Sequence, residues 1–189
     1  MSKFYGNLIN RLEEGQNYSG KELVAGTDIT MYYWSDRSCY YITRVDNQKH
    51  IFVKQYEVVA DRDKEGGMGH QNWVYFKTRK ECNDYLRSHG LDAEENPIEN
   101  KEQEWAFRYG KWFGVSRYNL DRWNSCLEMA KTEASHPEDI ECVTRVARYF
   151  LGLNDEDFNK VMSGKEVIKY NKLQPVSFGV RDYYYDWEF

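Results

Sequence analysis

Two arginines in this sequence stand beside aromatic residues and have the chemistry to bind a phosphate. The first, Arg37, ends the segment Trp34–Arg37 and is followed by Tyr40. A guanidinium group can donate two parallel hydrogen bonds to one phosphate, and a neighbouring ring can stack on the bound molecule. A simpler interpretation is a hairpin turn in which Asp36 and Arg37 form a local ion pair.

The second arginine, Arg181, precedes an aromatic cluster within residues 179–189. A segment this rich in rings is expected to be packed rather than frayed. A packed arginine needs an anion or a ring face to offset the burial of its charge. That anion is either a phosphate of a ligand or the carboxylate of Asp182 or Asp186.

The other motifs give little support to catalysis or to metal binding. The glycine-rich segment 66–71 lacks the Lys-Ser/Thr pair of a phosphate-binding P-loop, and a strand pattern follows it instead of a helix. His70 has no serine or cysteine of a catalytic triad near it in the sequence. The cysteines and histidines show no metal-ligand spacing. We therefore expect free thiols, no cofactor, no metal and no enzymatic activity.

Composition narrows the class of protein further. With 189 residues the chain is long enough for one compact domain, or for one domain with an insertion. The net charge of -5 argues against general attraction to nucleic acid. Aromatic residues make up 16% of the chain, which favours strands and binding surfaces. The sequence shows no signal peptide and no membrane-spanning run, so we expect a cytoplasmic protein without a membrane partner.

The elements that would position the two arginines are mostly antiparallel strands. Apolar and aromatic residues alternate between 29 and 59, and a polar break at 46–49 indicates a hairpin turn. A second hairpin is predicted around Gly110. We expect an α+β fold: a β-rich domain with short helices at 1–118, a mostly helical insertion at 119–165, and a final strand and aromatic segment at 166–189 that complete the β domain.

Helix signals are strongest in the second half of the chain. Pro137 followed by acidic residues predicts the start of one helix, and Asn154 is placed to cap the next. Earlier in the chain, Thr78–Glu81 has the form of a capping box. Apolar spacing at 8–12 indicates a short opening helix.

Several motifs recur in the order that they have in a known family. They are Trp34–Arg37 with Tyr40 and Ile42, Gly67–Met68 with Gln71, Gly179–Arg181, Tyr184–Asp186 and Phe189. This pattern resembles a widespread family of small phage and prophage proteins that end in Gly-Val-Arg-x-x-Tyr-Tyr-Asp-x-x-Phe, and the match covers about residues 26–77 and 176–189. The family is similar to anti-Thoeris sponge proteins, which capture cyclic ADP-ribose-type signals, and sometimes cyclic oligonucleotides, without cleaving them, and work as homo-oligomers.

The chain departs from this pattern in two places. Ser38–Cys39 stand where family members often have His-Ala, and the helical insertion makes the chain longer. Either departure is consistent with a changed ligand or with another anti-defence role.

The resemblance implies a phage-encoded anti-defence protein that sequesters a host immune signalling nucleotide without cleaving it. In that hypothesis Arg37 and Arg181 bind phosphates, and Asp36 orients Arg37 or accepts a hydrogen bond from a ribose hydroxyl. The side chains expected to stack on the base or the ribose are Trp34, Tyr40, Trp73 and Tyr184.

Two other hypotheses stay open at this point. An anti-CRISPR protein would inhibit a Cas nuclease by direct protein–protein binding, using a broad acidic, aromatic surface built on residues 92–104 and the helical insertion. A phage protein with a structural or regulatory role would need no ligand. Sequence-specific DNA binding is not expected, because the second helix of the pair joined near Gly152 begins with acidic residues.

The surplus of aromatic residues and the family resemblance together predict a homo-oligomer, because a small core does not need so many rings. We expect sedimentation at micromolar concentration to give a mass at least twice that of the chain, which is 22.6 kDa. A monomer under these conditions would contradict this prediction.

Overall fold

A computed structural model describes residues 22–33, 36–64, 72–95 and 98–183 of the chain. Nine strands lie in these ranges. They are β1 (Asp28–Tyr32), β2 (Arg37–Asn47), β3 (His50–Gln55), β4 (Glu57–Ala60), β5 (Trp73–Phe76), β6 (Gln103–Arg108), β7 (Lys111–Tyr118), β8 (Val167–Lys172) and β9 (Val176–Phe178). Seven of them form one antiparallel sheet in the order β8-β7-β6-β3-β2-β1-β9, and β4 pairs with β5 in a small second sheet.

Helices occupy two parts of the described chain. The helix α1 (Arg79–Ser88) follows β5, and α2 (Leu120–Glu133), α3 (Ile140–Leu151) and α4 (Asp155–Met162) lie between β7 and β8. The chain divides into two compact units, one made of Met1–Gly114 with Lys172–Phe189 and the other of Val115–Asn171. The predicted insertion at 119–165 lies within the second unit.

Alternation along β2 gives this strand two buried faces. Tyr40 and Ile42 point into the main core of the first unit, whereas Cys39 and Tyr41 belong to a separate cluster. Successive side chains of a strand point to opposite faces, so the two sets cannot meet. A bulge at Thr43, where two β2 residues oppose one residue of β3, then reverses the alternation and returns Val45 to the main core.

The main core is built around Trp105 of β6, which is fully buried. Its indole Nε1 donates a hydrogen bond of 3.2 Å to Gln103 Oε1, so the ring is buried without an unpaired donor. Tyr40 packs on it with 5.2 Å between the ring centroids. The second unit has a core of its own, to which α2, α3 and α4 contribute.

Short-range signals located several turns and caps correctly. The hairpin at 46–49 joins β2 to β3, and the one at Gly110 joins β6 to β7. In the latter turn Tyr109 and Gly110 both have positive φ, of 51° and 73°. That conformation matches the right-handed twist of the flanking strands. Asn154 caps α4 by accepting a hydrogen bond of 2.8 Å from the Asp157 amide.

The structure differs from the sequence-based predictions at two places, and a third prediction concerns residues that the structure does not describe. No helix begins at Pro137: the chain turns there, and Asp139 in an extended conformation caps α3, whose first residue is Ile140. The helical segment is followed by two strands rather than one, since β8 precedes the final strand. The helix expected at 8–12 lies outside the described residues. The α+β class with a β-rich antiparallel domain is confirmed.

The capping box at α1 yields a test of local stability. Thr78 Oγ1 accepts a hydrogen bond from the Glu81 amide, and the Glu81 carboxylate accepts one from the Thr78 amide, both at 3.2 Å. We expect Thr78→Ala to lower the free energy of unfolding by about 1 kcal/mol in urea denaturation, whereas Thr78→Ser keeps the acceptor and most of the stability. Equal stability of the alanine and serine variants would show that the cap contributes little.

Candidate functional site

A cluster of tyrosines covers the face of β2 that points away from the main core. We call this cluster the tyrosine patch and define it by Cys39, Tyr41, Tyr56, Tyr75 and Tyr183. The rings of Tyr41 and Tyr56 lie 4.8 Å apart, and those of Tyr56 and Tyr75 lie 5.9 Å apart with their edges and faces in contact. Tyr56 precedes β4 and Tyr75 lies in β5, so the small second sheet supplies part of the patch.

Residues 179–183 are held to the patch by backbone hydrogen bonds. The Gly179 amide donates to the Asp28 carbonyl at 2.8 Å, and the Tyr183 amide donates to Tyr75 Oη at 2.9 Å. Between them, the buried Thr30 hydroxyl donates to the Val180 carbonyl at 2.9 Å and accepts from the Asp182 amide at 3.1 Å. These bonds fix the position of Arg181, which lies between Val180 and Asp182.

Arg37 forms an ion pair with Asp182 across the patch face. Its side chain is 13% exposed, whereas that of Asp182 is 48% exposed. Asp182, which the sequence analysis considered as a partner of Arg181, therefore pairs with Arg37 instead. This pair joins β2 to the segment after β9 and gives Arg37 a structural role. Asp36, the residue expected to orient Arg37, accepts a hydrogen bond of 2.8 Å from the Tyr33 amide through its backbone carbonyl.

The side chain of Arg181 lies on the tyrosine faces and is exposed to solvent. Its guanidinium carbon is 4.8 Å from the centroid of the Tyr75 ring and 5.4 Å from that of Tyr56. Both distances are typical of cation–π contacts. Within the described ranges, no carboxylate lies at ion-pair distance from this guanidinium. The two ring contacts therefore hold the Arg181 cation in place, and its N–H groups can donate hydrogen bonds to an anion.

Three acidic groups of the patch, those of Cys39, Tyr56 and Tyr75, have raised pKa values and keep their protons at neutral pH. Burial raises the pKa of the Cys39 thiol to about 11. Burial likewise raises the pKa of Tyr75 to about 12, although the hydrogen bond from the Tyr183 amide opposes the shift. The pKa of Tyr56 is raised by burial and by the hydrogen bond of 2.6 Å that its hydroxyl donates to Asp28, against the effect of Arg181. A protonated thiol is a poor nucleophile, so Cys39 is not an activated cysteine.

The remaining candidate residues divide between the patch, the core and the undescribed chain. Trp73 contacts the patch, with its ring 4.8 Å from that of Tyr183 at an angle of 78°. Its buried Nε1 has no hydrogen-bond partner among the described residues. Tyr40 lies in the main core on the opposite face of β2 and is only 5% exposed. This placement removes Tyr40 from the candidate site. Trp34 and Tyr184 lie outside the described residues.

Sequence reasoning missed Tyr56, Tyr75 and Thr30 as members of the site. Tyr56 and Tyr75 come together only through the pairing of β4 with β5, which no local pattern reveals. The sequence did contain a signal for the face of β2 that carries the patch. Arg37, Cys39 and Tyr41 alternate along β2, and this spacing alone places them on one side of the sheet.

Comparison of the chain with models of protein families, with curated proteins and with solved structures finds no match in any of the three. Among the described residues, no helix is both long and apolar enough to cross a membrane. The same residues contain no cluster of His, Cys, Asp and Glu arranged to hold a metal ion.

The raised pKa of Tyr75 predicts a stability loss in alkali. The folded protein keeps this proton up to about pH 12, whereas the unfolded chain releases it near the ordinary value of 10.0. Its contribution is therefore complete below pH 10 and disappears as the pH rises from 10 to 12. We expect the tyrosinate absorbance of the folded protein to show a late step, and Tyr75→Phe should reduce that step by the share of one tyrosine, because the pKa values of Tyr41 and Tyr56 are raised as well. Tyr109→Phe, at a ring that is 91% exposed, is the control and should leave the late step in place.

Proposed function

We propose that this protein binds a phosphate-bearing signalling nucleotide at the tyrosine patch and sequesters it without cleaving it. The observation that carries the proposal is the position of Arg181, an exposed guanidinium held over Tyr56 and Tyr75. The resemblance to anti-defence sponge proteins suggests the ligand class, a cyclic ADP-ribose-type molecule or a cyclic oligonucleotide. The host cell in which such a ligand occurs would be an infected bacterium.

The stacking of Arg181 supports phosphate binding in a specific way. Contact of the guanidinium with two rings restricts its rotation, and its N–H groups that face solvent can donate hydrogen bonds to a phosphate. Less side-chain entropy is then lost when a phosphate binds. Tyr75 and Tyr183, which are partly exposed, are the patch rings that a base can reach for stacking.

The Arg37–Asp182 ion pair supports the same proposal through charge. Asp182 directly follows Arg181, and an unpaired carboxylate at that position would repel a phosphate. Pairing with Arg37 offsets this negative charge. We therefore assign Arg37 an indirect role in binding and Arg181 the direct contact with the ligand.

Retention of an intact ligand fits the chemistry of the patch. Turnover of a phosphodiester needs an activated nucleophile, a metal ion or a general base near its ordinary working pH. Cys39, Tyr56 and Tyr75 are all protonated at neutral pH because their pKa values are raised. In the protonated form these groups are poor nucleophiles toward the ligand.

The alternative, inhibition of a Cas nuclease by an acidic surface, has weaker support. Carboxylates of the stretch at 92–104 bind within the protein itself. Glu94 pairs with Arg79, Glu102 accepts a hydrogen bond from Thr43, and Glu104 contacts His50. The ion pair with Arg79 offsets the charge of Glu94 and so reduces the negative field that the stretch could present to a basic nucleic-acid channel, and the contacts of Glu102 and Glu104 hold these side chains against the sheet.

The test of the proposal compares two arginines that both lie on aromatic rings. Arg181→Met should weaken binding of the nucleotide roughly ten- to a hundredfold, the effect of losing a charge-assisted hydrogen bond of about 1.5–3 kcal/mol. Arg44, whose guanidinium carbon is 3.5 Å from the Phe52 centroid, is the matched control. We expect Arg44→Met to leave binding unchanged. Native mass spectrometry with a panel of cyclic ADP-ribose isomers and cyclic dinucleotides gives the affinities.

Two further readouts decide between binding and a structural role of Arg181. Because Arg181 is exposed, we expect its replacement to change the melting temperature little. A large fall in melting temperature with unchanged affinity would reject the assignment. Recovery of a cleaved nucleotide from the complex would reject sequestration.

A further inference from the structure

A pocket lies in the first unit, beside the turn of the β6–β7 hairpin. It is a pocket of about 130 Å³ between that hairpin and the segment 172–176, which leads from β8 to β9. Its apolar walls are Phe107, Trp112, Leu173 and Val176. These side chains belong to the main core or pack against it, whereas the tyrosine patch covers the other face of β2. The pocket is therefore independent of the nucleotide site proposed above.

The walls of the pocket are held in place by the fold. The Leu173 amide donates a hydrogen bond of 3.1 Å to the Trp112 carbonyl, and the Tyr32 amide donates one of 2.9 Å to the Pro175 carbonyl. The Trp112 ring is fixed between Phe107 and Phe178, at centroid distances of 5.3 and 5.4 Å. A ligand would thus enter a site that already has its shape.

The size of the pocket sets the size of its ligand. An engineered cavity of about 150 Å³ with apolar walls binds benzene. The volume of about 130 Å³ here therefore suits a single six-membered ring. A drug-sized ligand or a whole nucleotide needs roughly 300 Å³ or more.

The rim of the pocket carries positive charge. Lys111 and Lys172 both line it, and both are exposed. Neither ammonium group has an ion-pair partner in the part of the chain that the structure describes. An acidic substituent on a ring bound against Phe107 and Trp112 would lie near these charges.

We propose that this pocket binds a small aromatic carboxylate, with its ring against Phe107 and Trp112 and its carboxylate at Lys111 and Lys172. The apolar walls provide binding energy through burial of the ring. The two lysines select an anion over a neutral ring of the same size. This site gives the protein a second ligand that differs in chemistry from the nucleotide.

The test uses benzoate as the probe and benzyl alcohol as its neutral counterpart. Calorimetry and saturation-transfer NMR on the full chain should show benzoate binding more tightly than benzyl alcohol. Lys111→Met and Lys172→Met keep the apolar part of each side chain and should each weaken benzoate binding roughly two- to tenfold. Lys101→Met removes an exposed lysine outside the pocket lining and should have no effect.

A variant that fills the pocket shows whether benzoate binds there or elsewhere on the protein. Leu173→Trp places a larger ring at the wall and should abolish benzoate binding while the protein stays folded by circular dichroism. Arg181→Met should leave benzoate binding intact, which distinguishes failure at this pocket from failure at the tyrosine patch. Absence of benzoate binding at millimolar concentration, or binding that Leu173→Trp does not change, would overturn the proposal.

Discussion

The fold of the first unit depends on burial of both faces of one strand. β2 lies near the middle of the large sheet, between β1 and β3. One set of its side chains packs with Trp105 in the main core, and the other set lies under the second sheet and residues 179–183. Because a shift of one residue in register would exchange the two sets, the pairing with β1 is strongly specified. That pairing also decides that Arg37 faces Asp182 while Tyr40 faces Trp105.

The position of Arg181 depends on two hydrogen bonds of the Thr30 hydroxyl. This hydroxyl is buried opposite Cys39 and satisfies both the Val180 carbonyl and the Asp182 amide. A buried backbone group without a partner is costly, and β9 ends at Phe178, just before these two groups. The Thr30 side chain therefore supplies the hydrogen bonds that a further strand pairing would have supplied after β9. These two bonds lie on either side of Arg181 and fix its position.

Local features of the fold were accessible from the sequence, and features that join distant segments were not. The turn at Tyr109–Gly110, the capping box at Thr78 and the cap at Asn154 follow from a few adjacent residues, because their energetics are local. Pro137 gave a misleading helix start, since Asp139 was the better capping residue. The two arginines were recognisable as special from the rings around them. Which one would pair with Asp182 could not be read from the sequence, because it depends on the register of β1 against both β2 and β9.

The division of the chain has a consequence for the order of events during protein synthesis. The second unit is one continuous stretch, Val115–Asn171, whereas the first is made of segments on either side of it. The helical unit can therefore fold on the ribosome as soon as residue 171 has emerged. At that stage one edge of β1 is still unpaired, because β9 has not yet been synthesised. Arg181 follows β9 in the chain. A nascent chain thus acquires the site at Arg181 only after the rest of the large sheet has been made.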